Sequence, residues 1–76
     1  MDVNVVFSRV QLRRLRAEAK ECRVRLPRHM TAIRSGSSNW FLVEADGGFR
    51  TQVLADNAYD AKYKVISAHV RQGRAS

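Results

Sequence analysis

The chain has 76 residues, of which 14 are Lys or Arg and 7 are Asp or Glu, so its net charge at pH 7 is +7. A chain of this length is expected to form one small domain with a thin core, and a hydrophobic fraction of 45% excludes wholesale disorder. The single Cys22 excludes an internal disulfide, and the apolar runs are too short to cross a membrane, which together predict a cytoplasmic protein with no membrane partner. We expect loose ends at residues 1–7 and 71–76, and the first of these segments lacks a signal-peptide pattern.

The first predicted element is a helix from about Arg9 to Arg23. Ser8 is a favourable N-cap, and Gln11 stands three positions later, where a capping box requires it. Apolar residues recur at spacings of three, four and three, and we expect this stripe to be the buried face of the helix: Leu12, Leu15, Ala19 and Cys22. On this stripe Cys22 is interpreted as a small buried apolar residue rather than a reactive thiol.

The same helix carries a second stripe, which we call the cationic stripe. Its five members follow spacings of four, three, four and three: Arg9, Arg13, Arg16, Lys20 and Arg23. Glu18 and Glu21 fall on a different side of the helix and therefore neutralise the stripe poorly. Because Arg forms bidentate hydrogen bonds with phosphate and carboxylate, the stripe favours contact with a polyanion. The alternative is a solvated face that keeps a small domain soluble.

Residues 23–34 predict a broken or edge strand. Apolar residues tend to alternate on both sides of Pro27, which cannot donate to a central ladder: Val24 and Leu26 before it, and Met30 and Ala32 after it. Whether Ile33 belongs to this set is left open by the pattern. A flexible connector of Ser and Gly follows at residues 35–38.

The clearest local signal is a β-hairpin over residues 39–56, with its turn at Asp46, Gly47 and Gly48. A three-residue loop makes one face of the hairpin apolar, whereas a two-residue loop mixes polar and apolar residues on both faces. The predicted register pairs Ala45 with Phe49, Val43 with Thr51, and Phe41 with Val53. Gly48 can adopt the left-handed conformation that such a loop requires.

The second face of the hairpin has two interpretations. It carries Trp40, Leu42 and Leu54, which form either a second buried layer or an exposed contact patch. Glu44 stands opposite Arg50 on this face. Trp40, with Arg50 on the same hairpin, could stack on nucleic-acid bases, or Trp40 could instead anchor the core.

A second helix is predicted from Asp56 or Asn57, either of which can cap it, to about Val70. Asn57 and Asp60 have the spacing of an acidic capping box. The helix has one stripe of small and one of large apolar residues: Ala58, Ala61, Val65 and Ala68, and then Tyr59, Tyr63, Ile66 and Val70.

Two polar residues, Lys62 and His69, lie between these stripes, and we expect them to snorkel at the edge of the covered surface. The broad apolar surface of the helix should cover the sheet. The predicted fold is therefore α+β, a three-stranded antiparallel sheet packed against two helices in the order α-β-β-β-α.

No pattern in the sequence supports catalysis or cofactor binding. His29 and His69 are far apart, and neither lies in a metal-binding motif. The sequence contains no Gly-rich phosphate loop, and its acidic residues are scattered over different elements. We therefore expect a protein that is not an enzyme and that uses no metal, cofactor or small-molecule substrate.

The hairpin sequence WFLVEADGGFRTQVL is followed by the helix DNAYDAKYKVISAHV. This arrangement resembles the double-stranded-RNA-binding domain and is similar to the three-stranded DNA-binding domains at the N-termini of some phage integrases. The Ala61-Lys62 step matches the second helix of the RNA-binding family, in which lysines contact phosphates. Ala58 and Tyr59 occupy the positions of that family's preceding lysine pair. The resemblance covers less than half of the chain and implies a phosphate contact for Lys62.

Small Arg-rich chains of this type also resemble phage-encoded proteins that take over host machinery, including inhibitors and antiterminators of bacterial RNA polymerase and anti-CRISPR proteins. We therefore expect a regulatory binding protein. Its partner is either the phosphate backbone of DNA or RNA, or an acidic or nucleic-acid-facing surface of a host protein complex. The candidate binding residues are Arg9, Arg13, Arg16, Lys20, Arg23, Trp40, Arg50 and Lys62.

Overall fold

Two helices flank three strands in a computed structural model that describes the backbone of residues 3–27 and 29–75. The elements are α1 (Val3–Glu21), β1 (Met30–Arg34), β2 (Trp40–Ala45), β3 (Phe49–Leu54) and α2 (Ala58–Ala75). The three strands form one antiparallel sheet in the order β1-β2-β3. The predicted α+β fold and its order of elements are confirmed.

The start of α1 differs from the prediction. The helix begins at Val3, so Ser8 is not its N-cap but an interior residue whose relative exposure is 8%. The Asn57 Nδ2 amide, at the start of α2, donates to the Ser8 Oγ hydroxyl at 3.3 Å. The contact between the two helices therefore accounts for a polar residue at this buried position. Residues 3–7 and 71–75, expected to be loose, are helical, while residues 1, 2 and 76 lie outside the described part.

The end of α1 is a left-handed turn that reverses the chain. Arg23 has a φ of 58°, the Val24 amide donates to the Ala19 carbonyl at 2.9 Å, and the Arg23 amide donates to the Lys20 carbonyl at 3.2 Å. This pair of bonds is a Schellman motif, which satisfies carbonyls that the helix leaves open. Cys22 lies in the turn and is exposed, so the prediction that it belongs to the buried stripe is wrong.

The first strand is shorter than the segment predicted for it. Of residues 23–34, only Met30–Arg34 pair with β2, and β1 is an edge strand as expected. Val24 and Leu26 precede Pro27 without regular structure and pack, partly buried, against the core. The segment before the strand therefore contributes to packing but not to the sheet.

The predicted hairpin register is confirmed. Ala45 pairs with Phe49, Val43 with Thr51, and Phe41 with Val53. Gly47 and Gly48 have φ values of 88° and 83°, a conformation that side chains with a Cβ rarely adopt. On the other face, Glu44 Oε1 lies 3.3 Å from Arg50 Nη2.

Of the two caps that the sequence predicted for α2, Asp56 and Asn57, the structure uses Asn57. The Asn57 Oδ1 oxygen accepts a hydrogen bond from the Asp60 amide at 2.9 Å, and the Asp60 Oδ2 oxygen accepts one from the Asp56 amide at 3.3 Å. The helix then continues to Ala75, beyond the predicted end at Val70.

The core lies where α2 meets the sheet and α1. The second helix contacts all three strands and α1. The two helices run in the same direction, since Ser8 meets Asn57 near the start of α2, and Leu15 and Tyr63 line one depression further along. The buried apolar residues are Leu12, Leu15, Ala19, Met30, Phe41, Val43, Ala55, Ala61, Val65, Ile66 and Val70. Within the predicted stripes of α2, Ala68 is exposed.

Candidate functional site

Four cations of the cationic stripe form an exposed row along α1, which we call the basic ridge. Its members are Arg9, Arg13, Arg16 and Lys20. The row lies beside the buried stripe, because the two sets of residues have the same helical spacing and adjacent directions around the axis. At a rise of about 1.5 Å per residue, the ridge is about 16 Å long.

The fifth member of the cationic stripe does not continue the ridge. Arg23 follows the end of α1 and has the left-handed φ of 58°. Its side chain is exposed, but the helical spacing that aligns the other four cations no longer applies to it. The sequence placed Arg23 on the ridge only because the helix was expected to reach that residue.

The ridge is joined by a cation from the second helix. Arg13, Arg16 and Lys62 line one open groove between α1 and α2, together with Leu12 and Tyr59. The Tyr59 ring centroid lies 5.6 Å from the Arg9 guanidinium carbon and 5.9 Å from Lys62 Nζ. Tyr59 therefore holds one cation from each helix by cation–π contact.

Two ion pairs of the molecule lie away from this surface. Arg50 pairs with Glu44 at 3.3 Å and Lys64 pairs with Asp60 at 3.4 Å, and neither pair involves the ridge or Lys62. The first turn of α1 contains no acidic residue. Glu18 lines a different depression, with Gln11 and Tyr63. The groove and the ridge thus form one positive surface.

The two hairpin candidates lie on a different surface from the ridge. Trp40 pairs with Leu54 and Arg50 pairs with Glu44, on the sheet face opposite to buried Phe41. Trp40 and Glu44 are four residues apart in β2, and Arg50 is paired with Glu44. Trp40 therefore lies about 13 Å along the strand from the Glu44–Arg50 pair. The structure therefore unites Arg9, Arg13, Arg16, Lys20 and Lys62, and it leaves Trp40 and Arg50 apart from them and from each other.

The outer face of the sheet is an exposed apolar surface, not a second buried layer. Ile33, Trp40 and Leu54 are 64%, 47% and 54% exposed, and Leu42 beside them is half-buried. We call these four residues the sheet patch. The sequence left open whether Ile33 belongs with Met30 and Ala32, and the structure places it on the opposite face, one position after Ala32 and paired with Leu42.

A second exposed apolar surface lies on α1 and was not predicted from the sequence. We call it the N-terminal stripe, and its members are Val3, Val6, Phe7 and Val10. Their spacing of three, one and three places them on the side of the helix turned away from Leu12, Leu15 and Ala19. The periodicity is visible in the sequence but begins before the predicted helix start.

Within the described residues, no group of three His, Cys, Asp or Glu side chains could hold a metal ion. His69 is explained by packing, since its Nδ1 donates to the Val65 carbonyl at 3.0 Å and its ring meets the Phe49 ring edge-on at 5.1 Å between centroids. No helix in the described part of the chain is sufficiently long and apolar to cross a membrane.

No protein-family model matches this sequence, and no curated protein or solved structure is significantly similar to it. We therefore infer a function from the surfaces described above.

Proposed function

We propose that this protein binds the phosphate backbone of DNA or RNA through the basic ridge and Lys62. The observation that carries the proposal is the concentration of cations on this surface. Four exposed cations lie in a row on α1, and a fifth, Lys62 from α2, shares a groove with Arg13 and Arg16. Neither the Arg50–Glu44 pair nor the Lys64–Asp60 pair includes any of the five.

The dimensions of the ridge suit a regular polyanion. Successive cations are about 4.5 to 6 Å apart along the helix axis, over a length of about 16 Å. Duplex DNA carries one charge per about 1.7 Å of its axis, so a ridge of this length faces several phosphates at once. Because such contacts involve phosphates rather than base edges, the expected binding is independent of sequence and sensitive to salt.

The start of α2 is not part of the proposed contact. Helix N-termini attract phosphate because their amides are open, but here Asn57 Oδ1 already accepts from the Asp60 amide and Asp60 Oδ2 from the Asp56 amide. The carboxylates of Asp56 and Asp60 also oppose an anion at this end. Lys62, one turn further along the helix, is the residue of α2 that supports the proposal.

The test is a triple variant, Arg9→Gln, Arg13→Gln and Arg16→Gln, measured by fluorescence anisotropy with labelled duplex and single-stranded probes over a salt series. Gln keeps the helix propensity close to that of Arg. We expect weaker binding of every sequence and a salt slope that falls by about 0.9 for each lost phosphate contact on duplex DNA.

The matched control removes three cations from other surfaces: Arg50→Gln, Lys64→Gln and Arg71→Gln. It lowers the net charge equally, so a ridge-specific contact predicts near-normal binding by the control. Equal losses in the two triple variants would show that only net charge matters. Absence of binding by the unsubstituted protein at low salt would overturn the proposal.

A second candidate function is binding to an acidic surface of a protein complex that handles nucleic acid, such as a host RNA polymerase or a CRISPR complex. The N-terminal stripe favours it, because apolar side chains beside a basic ridge suit a protein partner better than a phosphate backbone. Phe7, at 61% exposure, separates the two candidates. Phe7→Ser should leave nucleic-acid affinity unchanged but abolish nuclease-resistant capture of the complex from a bacterial lysate.

A further inference from the structure

The sheet patch is a continuous apolar surface. Ile33 pairs with Leu42 across β1 and β2, and Trp40 pairs with Leu54 across β2 and β3. Trp40 and Leu42 are two residues apart in β2, so the two pairs touch on the same face. Three of the four side chains are roughly half or more exposed. Contiguous exposed apolar surface of this kind marks an interaction site on a small protein.

The rim of the patch has no net charge. Thr31 and Gln52 are neutral, and the Glu44 carboxylate neutralises the Arg50 guanidinium at 3.3 Å. Arg34, at the end of β1, points to the opposite face, where it covers the Phe41 ring at 5.0 Å. A molecule with a net charge of +7 thus has one sheet face that is both apolar and electrically balanced.

This balance determines the kind of partner. An acidic protein or a nucleic acid is attracted to the basic ridge and gains no charge complementarity on the sheet face. A surface complementary to a neutral apolar face is another neutral apolar face, and a second copy of this chain always supplies one. We infer that the protein self-associates through the sheet patch, with the sheets of two copies packed face to face about 10 Å apart.

The size of the face predicts a weak dimer. Three strands about 4.8 Å apart and five to six residues long give a face of about 14 by 18 Å. This is well below the roughly 800 Å² per partner of a stable interface, so we expect dissociation in the micromolar range or above. Trp40 should be the anchor, because Trp gives a large rigid contact area and dominates many interfaces.

Salt separates self-association from the proposed phosphate contact. Two copies of a basic protein repel each other, and salt screens this repulsion, so dimerisation should strengthen as salt rises. Phosphate binding should weaken over the same range. The two proposals share no residue, and each can fail without the other.

The experiment is sedimentation velocity over a micromolar to submillimolar concentration series. The unsubstituted protein should shift from monomer to dimer, and Trp40→Ser with Leu54→Gln should weaken dimerisation at least tenfold. Phe7→Ser is the control, because it removes an apolar side chain that is at least as exposed as Trp40 and Leu54 but lies on α1, and it should dimerise normally.

A second measurement needs no substitution. Trp40 is the single Trp of the chain, so its fluorescence reports directly on the sheet patch. Acrylamide quenching should fall as the protein concentration rises, with the same midpoint as sedimentation. A protein that stays monomeric throughout, or a dimer that Phe7→Ser disrupts and the Trp40 and Leu54 substitutions leave intact, would overturn the inference.

Discussion

Asn57 couples the start of α2 to α1, because the oxygen and the nitrogen of its side-chain amide bond to different partners. Oδ1 caps α2 by accepting from the Asp60 amide at 2.9 Å, and Nδ2 donates to the Ser8 hydroxyl at 3.3 Å. The cap is the stronger and shorter contact. A single side chain therefore both begins one helix and fixes its position against the other.

Substitutions of Asn57 should separate the contribution of the cap from that of the Ser8 contact to the free energy of unfolding. Asn57→Ala loses both bonds and should lower the free energy of unfolding by about 1 kcal/mol, with the cap as the larger part. Asn57→Asp keeps an oxygen at the cap and places a negative charge at the helix N-terminus, so it should remain close to the original stability. Chemical denaturation measures both. A loss in Asn57→Asp as large as the loss in Asn57→Ala would show that the Ser8 contact, and not the cap, dominates.

Thr51 and Gln52 are neighbours on opposite faces of β3. Thr51 is partly buried opposite Val43 on the helix-covered face, while Gln52 is exposed on the outer face. Thr51→Lys should therefore reduce the melting temperature clearly, because it places a charge at a covered position, and Gln52→Lys should be nearly neutral. Equal melting temperatures of the two variants would contradict the orientation of the strand.

At the scale of elements, the turn after α1 places a residue with a side chain where glycine is preferred. Arg23 adopts a φ of 58°, which costs roughly 1 kcal/mol for a residue with a Cβ. Arg23→Gly should remove that cost and raise the free energy of unfolding, by less than 1 kcal/mol because glycine loses more entropy on folding. Arg23→Ala is the control for the lost charge and should give no such gain. The melting temperatures of the two variants test this: a gain in Arg23→Ala as large as that in Arg23→Gly would show that the lost charge, and not the φ angle, is responsible.

The hairpin was predictable because its determinants are local. Residues 46–48 fix the loop length, and only one register then gathers the apolar residues on one face. The limits of α1 were not predictable in this way. Helical periodicity gives the direction of a side chain around the axis, but not where the helix begins or ends. Ser8 has the character of a cap, yet it binds a residue 49 positions away.

The part of the candidate site that depends on local helical spacing could be predicted from the sequence. The spacing from Arg9 to Lys20 fixes four cations on one flank, and local pattern is sufficient for that. The joining of Lys62 to them depends on how the helices pack, which the spacing does not contain. The second face of the hairpin carries three large apolar residues beside polar ones, so alternation could not tell whether Trp40 is covered.

At the scale of the whole molecule, charge and apolar surface are segregated. The basic ridge and Lys62 lie on the helices, and the sheet patch lies on the face that the helices leave open. The ridge suits a polyanion, and the sheet patch suits a neutral apolar surface. Self-association through the sheet would therefore leave the ridges of both copies accessible, so the two proposed contacts are compatible.

The concentration of like charge on α1 should also limit the stability of the protein at low salt. The ridge contains three adjacent cation pairs at helical spacings of three or four: Arg9 with Arg13, Arg13 with Arg16, and Arg16 with Lys20. Each such pair destabilises a helix by about 0.2 to 0.5 kcal/mol, or about 1 kcal/mol in total. For a domain of this size, that corresponds to a melting temperature lower by about 4 to 8 °C.

The double variant Arg13→Gln and Arg16→Gln removes all three pairs and keeps the contact of Arg9 with Tyr59. It should melt above the unsubstituted protein at about 0.01 M salt, and the difference should nearly vanish at 0.15 M, where the screening length falls from about 30 to 8 Å. The control, Arg50→Gln with Lys64→Gln, removes two cations that have carboxylate partners, at 3.3 and 3.4 Å, and should instead lower the melting temperature slightly at low salt. Opposite signs for the two variants at equal net charge would show that placement of the cations, and not their number, sets this part of the stability. A double variant that melts below the unsubstituted protein at low salt would mean that Arg13 and Arg16 contribute favourable packing, and the ridge would then be part of the fold as well as a charged surface.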